Sequence, residues 1–467
     1  MQFSITARTH GARHRNSVSR RETGKFTTVL FGVALAALVL RIVPIVARGE
    51  VGWAMAPNGD SVTYIGLAEG LKRGCDSAPE TNRTPGYPLF LSLMPGLRAA
   101  LIAQGLLWSV LCFFVGRFAA SVAGAPAGCC AAGLLAADVP SIVSSNEIIS
   151  ETLFTALLIG AVLAELEVLR NGESTPKAYS LLAFASAMFG LALLVRPIAQ
   201  LVMPLVIVAP MRLGGASRSR RALLVVLVAA GPLLCGTAWT LRNYSVAGVA
   251  TISTVGGLNF FYYRAVGTLA FASHTGWAER LARTHPLPNA DLSAQAGRII
   301  LHHPFAFIAM TLWSFFYLCW VPDRAPLAQV LGMARVSRIV DPGSVRIEGI
   351  VHQLWTGKFA GLRTIFSQEF HSSGTLLLLV ALQLLMVGCT WTGSVLALKR
   401  YATSRSALGS CVLFAFTIAV AILLLASGPE AVARFRIPAT PLLAFMAGVG
   451  WLGVREEKSE VLATFTK

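Results

Sequence analysis

Long apolar stretches separated by short polar turns run along nearly the whole chain. A membrane-spanning helix needs about 20 predominantly apolar residues, and stretches of this kind recur often enough to predict one polytopic, all-α membrane domain. No soluble domain of ordinary size fits between them. The predicted spans are Phe26–Ala47, Leu97–Ala119, Ala125–Ser141, Ile148–Leu169, Tyr179–Val195, Ile198–Met211, Ala222–Leu241, Phe305–Val321, Thr375–Leu398, Leu408–Ser427 and Ile437–Leu452.

The C-terminal third is the least regular part of this pattern. Residues 347–370 carry apolar side chains about every three to four positions with charges between them, which is typical of an amphipathic helix lying in the membrane interface. Counting spans onward from Phe305 puts the basic pair Lys399–Arg400 on the outer side, against the positive-inside rule. Either the rule fails here, or a half-span lies between Val321 and Thr375. The prediction is therefore about 11 to 13 transmembrane helices.

Composition and charge support a membrane protein and give it an orientation. The chain is 55% hydrophobic and 13% charged, with a net charge of +17. Basic residues cluster in positions 8–25 and 212–221, and short basic turns stay in the cytoplasm, whereas positions 50–80 are rich in acids. The excess of positive charge is thus a topology signal, and no nucleic-acid partner is predicted.

This orientation divides the chain into a cytoplasmic basic tail (residues 1–25), a transmembrane domain (26–453) and a C-terminal tail (454–467). Within the domain, residues 49–96 and 243–303 are predicted as outward loops, the first with short interfacial helices. The eight cysteines predict neither a disulfide framework nor a zinc site, because seven fall inside predicted spans and leave Cys75 alone in a loop.

The first outward loop carries the chemistry. Asp60 lies in Asn-Gly-Asp-Ser turn residues ahead of a short amphipathic helix, and Arg83 precedes Thr84-Pro85-Gly86-Tyr87-Pro88, where proline disfavours regular helix. Ionisable side chains beside the bilayer must be solvated, paired or used. Asp60 is a candidate cap of this helix and a candidate general base, and the two roles can coexist. Arg83 either binds phosphate through its forked donors or anchors lipid headgroups.

Several further segments follow in a recognisable order: Ser150-Glu151-Thr152-Leu153-Phe154, Arg196-Pro197, Trp239 to Tyr244, Gly256 to Asn259, and Ala433 to Pro438. Together with Asp60 and the Arg83 element, they resemble motifs of the GT-C glycosyltransferases of the protein O-mannosyltransferase (family 39) and aminoarabinose transferase kind. The resemblance spans roughly residues 26–453 and implies a GT-C-type bundle. One departure is that Ser61 follows Asp60 where many relatives carry a second acid, so no required metal is predicted, although a divalent metal is possible.

The resemblance implies a site on the outer face. It assigns catalysis to Asp60 and Glu151, with Glu151 supporting Asp60 or binding the acceptor. Arg83, Arg196, Arg242, Arg434 and Arg436 would bind the donor phosphate, and Tyr64, Tyr87, Asn243 and Asn259 would line the substrate pocket.

The function implied is transfer of a monosaccharide, with inversion, from a polyprenyl-phosphate donor to a hydroxyl of an envelope glycan such as lipopolysaccharide, of a lipid or of a protein. No cofactor is required, the partners are membrane lipids, donor and acceptor, and the location is the bacterial cytoplasmic (inner) membrane. Two alternatives stay open: a secondary transporter or flippase of an amphiphilic substrate, and a lipid-glycan ligase or polymerase. A transporter predicts internal repeats and charges in mid-span, whereas the charges here lie at the edges of outward loops.

Overall fold

The structure is a computed structural model of the 467-residue chain. It describes residues 5–48, 51–55, 59–74, 80–171, 175–212, 217–286, 291–322, 324–331, 374–404 and 406–453. All regular elements in these ranges are helical, which confirms the all-α class. The predicted interfacial helix in residues 347–370, the C-terminal tail and Cys75 lie outside the described residues.

Nineteen α-helices follow one another along the described ranges, with a π-helix at Phe260–Ala265 and short 3-10 turns, among them Ala433–Arg436. Two of the helices lie in the first outward loop, as predicted. The helices are α1 (Ile5–Ala47), α2 (Asp60–Lys72), α3 (Gly86–Ser92), α4 (Leu97–Ala123), α5 (Ala125–Ala136), α6 (Val139–Ser145), α7 (Glu151–Asn171), α8 (Pro176–Val195), α9 (Ala199–Ile207), α10 (Arg218–Ala247), α11 (Val255–Asn259), α12 (Val266–Ala272), α13 (Trp277–Arg283), α14 (Leu292–His302), α15 (Pro304–Trp320), α16 (Arg324–Val330), α17 (Gly374–Tyr401), α18 (Ala407–Ala426) and α19 (Thr440–Leu452).

Among the described residues, 7 helices are long and apolar enough to cross a membrane, or up to 9 if each of two bent helix pairs is one span. The bent pairs are α5 with α6, at 54°, and α14 with α15, at 99°. Two shorter apolar helices, Ala199–Met211 and Thr440–Leu452, add to these. Each predicted apolar stretch therefore falls on a helix, and the described residues contain 7 to 9 full-length spans, against the 11 to 13 predicted for the whole chain.

Small residues let the central helices approach closely. Gly128 of α5 faces α4, where an added Cβ would lie 2.5 Å from the Gly116 carbonyl oxygen. A side chain there would force the two backbones apart. Helices surrounded by lipid gain little from the hydrophobic effect when they associate, so close packing of their backbones must stabilise the contact instead. The α4–α5 contact therefore depends on glycine.

The contacts between helix ends show which residues lie together at each end of the bundle. At one end α18 begins beside the last turns of α7, where the Cys411 sulfur lies 3.6 Å from the Leu166 carbonyl oxygen. Arg400, at the end of α17, donates to the Gly450 carbonyl of α19 at 2.7 Å. The basic pair Lys399–Arg400 thus lies at the same end as Arg170, where the positive-inside rule places it.

The α15–α16 connection explains why counting spans from the sequence failed. At the close of α15, Trp320 reaches Gly388, near the middle of α17, where an added Cβ would lie 3.7 Å from the indole ring. The following helix α16 is back beside the end of α1, because Arg48 donates to the Val330 carbonyl at 3.3 Å and Gln329 donates to the Met55 carbonyl at 3.0 Å. The chain therefore enters the bundle through α15, which corresponds to the predicted span over residues 305–321. It then returns through α16 to the end of the bundle at which α15 begins.

This return predicts opposite sides for the α17–α18 turn and for α14. Ser404→Cys should react with a membrane-impermeant maleimide only after the membrane is permeabilised, whereas Ser293→Cys should react in intact cells, because an odd number of crossings separates them. Labelling of single-cysteine variants in a background without the native cysteines measures this. Equal labelling of both positions in intact cells would contradict the return of α15 and α16.

Candidate active site

Five charged side chains from separate segments meet at the other end of the bundle. Arg83 Nη2 lies 2.5 Å from Asp60 Oδ1, and Arg434 Nη2 lies 3.6 Å from Asp60 Oδ2. Glu151 Oε1 lies 2.6 Å from Arg196 Nη1 and 3.7 Å from Arg434 Nε. Arg434 therefore bridges two carboxylates. We call these five residues the ion-pair network.

Asp60 is the first residue of α2 and not its N-cap, so the structure does not support the alternative in which it is the capping residue. The N-cap is Gly59, which has left-handed backbone angles (φ 77°, ψ 0°) that glycine adopts without strain. The Asp60 carboxylate instead meets the two arginines, and its side chain is 20% exposed. A negative charge in the first turn of a helix is also favoured by the helix dipole.

Arg83 lies in the non-helical segment 80–85 that precedes α3. The Arg83 backbone N–H donates to Glu80 Oε1 at 3.1 Å, and the next residue, Thr84, donates through its hydroxyl to the Val195 carbonyl at 3.1 Å. The guanidinium carbon also lies 5.3 Å from the centre of the Tyr64 ring, within cation–π range. These contacts fix the backbone of Arg83 while its guanidinium extends toward Asp60.

The irregular backbone predicted through Pro88 ends earlier than expected. Helix α3 begins at Gly86, because proline is tolerated in the first turn of a helix, where the backbone N–H groups have no partner within the helix. A Cβ at Gly86 would lie 2.7 Å from the Leu194 carbonyl oxygen. Glycine thus lets the start of α3 touch the end of α8. This contact holds the segment that carries Arg83 beside Arg196.

Glu151 and Arg196 come from helix ends that face each other. Glu151 begins α7 and its side chain is 4% exposed, whereas Arg196 follows α8 in an extended conformation (φ −141°, ψ 120°). The extended conformation is the one that Pro197 imposes on the residue before it. Burial disfavours the charged form of Arg196, but the Glu151 carboxylate outweighs it and raises the pKa of the guanidinium. Arg196 therefore remains a cation.

An inner layer of polar and aromatic groups supports the network. The Tyr64 hydroxyl lies 3.3 Å from the Ser150 hydroxyl, which also accepts from Arg196 at 3.4 Å. The Tyr64 ring meets Tyr87 edge to face, with 4.9 Å between ring centres. Tyr87 is fully buried and donates to Gln104 Oε1 at 2.8 Å. The structure thus places Tyr64 in contact with the network and Tyr87 behind it.

The other predicted site residues are not brought into the network. Arg436 is buried and donates to the Leu318 and Cys319 carbonyls at the end of α15, at 2.9 and 3.1 Å. Arg242 donates to the Glu80 carbonyl at 3.0 Å. The side chain of Asn243 donates to the Thr251 and Ile252 carbonyls, and Asn259 is exposed on α11.

Two residues near the network had no role in the sequence analysis. Tyr263 lies in the π-helix, a rare element that is frequent at functional sites. Burial raises the pKa of the Tyr263 phenol, and the negative charges of Glu430 and Asp60 raise it further. The positive charges of Arg434 and Arg83 act in the opposite direction.

Glu430 has a buried Oε2 without a hydrogen-bond partner among the described residues. Its position in a turn four residues before Arg434 was the available signal.

The arrangement is suited to binding an anion. Within the ion-pair network, three guanidinium groups and two carboxylates leave one positive charge in excess. Forked guanidinium donors match phosphate oxygens. Within the described residues, no group of three or more His, Cys, Asp and Glu could hold a metal ion, and whether the chemistry needs a metal stays a prediction.

Neither a protein-family model nor a curated protein matches the chain, but solved structures do. One is the oligosaccharyltransferase AglB from Archaeoglobus fulgidus, in complex with an inhibitory peptide and a dolichol-phosphate: identity is 13%, coverage 95% of this chain and 54% of that chain, and TM-score 0.49. Another is ArnT from Cupriavidus metallidurans bound to undecaprenyl phosphate, with 14% identity, coverage of 92% and 77%, and TM-score 0.38.

These neighbours are GT-C glycosyltransferases, and ArnT is an aminoarabinose transferase, one of the two kinds that the sequence motifs resemble. The chain spans about half the length of the oligosaccharyltransferase. At these identities and TM-scores the likeness assigns no residue role, so the roles below rest on the contacts within this chain.

The contacts of Glu151 predict that it matters for stability as well as for chemistry. Glu151→Gln should lower the free energy of unfolding by about 2–4 kcal/mol, because it leaves Arg196 and Arg434 close together at a buried site without their shared anion. Glu69→Gln, in which an exposed carboxylate of α2 loses its 3.6 Å pair with Arg73, should change it little. Unfolding of the purified variants in detergent measures both, and equal effects would contradict the buried role of Glu151.

Proposed function

We propose that the chain is a GT-C-type membrane glycosyltransferase that moves a monosaccharide from a polyprenyl-phosphate donor to a hydroxyl acceptor. The observation that carries the proposal is the ion-pair network: five of the elements singled out in the sequence, spread from Asp60 to Arg434, each supply one of its five charges at one end of an apolar bundle. The proposed location is the outer face of a bacterial cytoplasmic membrane, as the basic turns at the opposite end suggest.

The charge balance supports a lipid phosphate as the bound group. A polyprenyl tail can lie between apolar helices while its phosphate meets the excess positive charge at their end. Arg83 is the proposed principal contact, because its side chain is 27% exposed and pairs with the more exposed carboxylate, Asp60. Arg434 is 17% exposed and is shared between two carboxylates, and Arg196, also 27% exposed, is held by the buried Glu151. The forked donors of Arg83 would stabilise the charge that develops on the departing phosphate.

Asp60 is the proposed general base. The acceptor oxygen attacks the anomeric carbon, the bond from that carbon to the phosphate oxygen breaks, and the lipid phosphate leaves with the electron pair. The acceptor proton passes to Asp60. Direct displacement of this kind inverts the anomeric centre. Asp60 suits the role better than Glu151, because its side chain is 20% exposed against 4% for Glu151.

Glu151 fits a positioning role. Its Oε1 holds Arg196 at 2.6 Å and Arg434 at 3.7 Å, so it fixes two cations without itself facing solvent. The sequence resemblance suggested a catalytic role, or a supporting one. The geometry favours support, since a side chain that is only 4% exposed leaves little access for an acceptor hydroxyl.

Deletion of the gene tests the function as a whole. Mass spectrometry of envelope glycans and lipids should show the loss of one monosaccharide and accumulation of its polyprenyl-phosphate donor, and plasmid-borne wild-type protein should reverse both. Unchanged envelope chemistry with an altered sidedness of a lipid would instead indicate a flippase. Loss of a whole oligosaccharide rather than one sugar would indicate a ligase or polymerase.

Asp60→Asn should give a folded protein that binds the donor but transfers almost no sugar. The cap of α2 is the backbone of Gly59, so the helix should persist, whereas an amide cannot accept the proton. The expected loss of turnover is about 10²–10⁴-fold. Transfer assays with the donor identified by deletion measure it, and turnover within about threefold of wild type would exclude Asp60 as the base.

Arg83→Ala and Arg83→Lys should differ. Lysine keeps the charge but not the forked geometry, so it should retain part of the donor affinity, and alanine little. Donor titrations should show a raised KM for both, larger for alanine. Arg73→Ala, which removes an exposed arginine 3.6 Å from Glu69 at the end of α2, is the matched control and should leave KM unchanged. Small and equal effects at Arg83 would reduce it to a headgroup anchor.

A further inference from the structure

The carboxylate of Asp60 is held by two cations. Its Oδ1 lies 2.5 Å from Arg83 and its Oδ2 lies 3.6 Å from Arg434. A carboxylate oxygen that already accepts from a guanidinium has fewer lone pairs free to take a proton from another group. If Asp60 is the base of the proposed reaction, at least one guanidinium must move away before the proton is transferred.

Arg83 is the cation that can exchange. Arg434 is also tied through its Nε to Glu151 Oε1, at 3.7 Å, which in turn is held by Arg196. For Arg83, Asp60 is the single carboxylate within ion-pair distance among the described residues. The Tyr64 ring, 5.3 Å from its guanidinium carbon, offers a second surface that keeps the group close when it moves.

A phosphate is the natural competitor for this guanidinium. It presents several oxygens to the forked donors and carries at least as much negative charge as a carboxylate. We infer that the lipid phosphate of the substrate and the carboxylate of Asp60 compete for Arg83. Phosphate binding thus releases Asp60 Oδ1 from its closest cation and frees that oxygen to take the proton of the acceptor. The inference rests on the proposed function and adds that the base is activated by donor binding.

The competition predicts that removing the carboxylate of Asp60 strengthens phosphate binding, and that this gain depends on Arg83. Undecaprenyl phosphate is the probe, titrated into the full-length protein in detergent and followed by native mass spectrometry. Asp60→Asn should bind it about 3- to 10-fold more tightly than wild type, because Arg83 no longer has to leave a carboxylate. Arg83→Ala should bind it more weakly.

A double-mutant cycle separates competition for Arg83 from a general loss of negative charge. In the Arg83→Ala background, Asp60→Asn should bring no further gain, since the contested group is gone. Glu69→Gln removes another carboxylate from the same helix, one that pairs with Arg73 at 3.6 Å, and it should leave the affinity unchanged. Undecaprenol, which lacks the phosphate, should show no gain with any variant.

The outcomes divide cleanly. Binding by wild type without a gain in Asp60→Asn overturns the inference and leaves the proposed function standing. A gain that persists in the Arg83→Ala background, or that Glu69→Gln reproduces, also overturns it. No binding of undecaprenyl phosphate by wild type or Asp60→Asn overturns both. Phosphatidic acid is tested as a second lipid phosphate. An equal gain in affinity for it in Asp60→Asn supports the exchange and shows that the site binds any lipid phosphate.

Discussion

The sharing of one buried carboxylate by two arginines is the constraint on which the site depends. Glu151 lies at the start of a membrane-spanning helix, where an unpaired charge costs several kcal/mol. Arg196 and Arg434 satisfy it, and Arg434 carries the connection on to Asp60. Because each charge needs its neighbour, the loops that carry them are held in one arrangement.

Backbone chemistry prepares the loops for this arrangement. Pro197 extends the backbone of Arg196 where α8 ends, and the missing side chain of Gly86 lets α3 touch the same helix end. The hydroxyl of Thr84 then bonds the Val195 carbonyl, which α8 leaves without a partner in its last turn. Arg83 and Arg196 thus reach the network from adjacent segments that are fixed by these contacts.

The return of α15 and α16 has a matching effect on the whole domain. It lets α17, α18 and α19 follow with basic residues at one end and the Arg434 turn at the other. Had α15 crossed the bundle, the Arg434 turn would lie at the wrong end to meet Asp60. The side on which the network forms is therefore linked to a connection more than a hundred residues away from Arg434 in sequence and to the contact of Arg436 with the end of α15.

The sequence by itself determined the all-α membrane class and the apolar stretches, because hydropathy acts locally. It also singled out Asp60, Arg83, Glu151, Arg196 and Arg434 as charged residues beside apolar stretches, and the structure brings these five together. The sequence could not assign partners. The tertiary structure decided that Asp60 meets Arg83 and Arg434 rather than capping α2, and that Arg436 and Asn243 bond backbone carbonyls. It also decided that α15 turns back. Such outcomes depend on which helix ends share a bundle end, and that is fixed by packing between segments far apart in the chain.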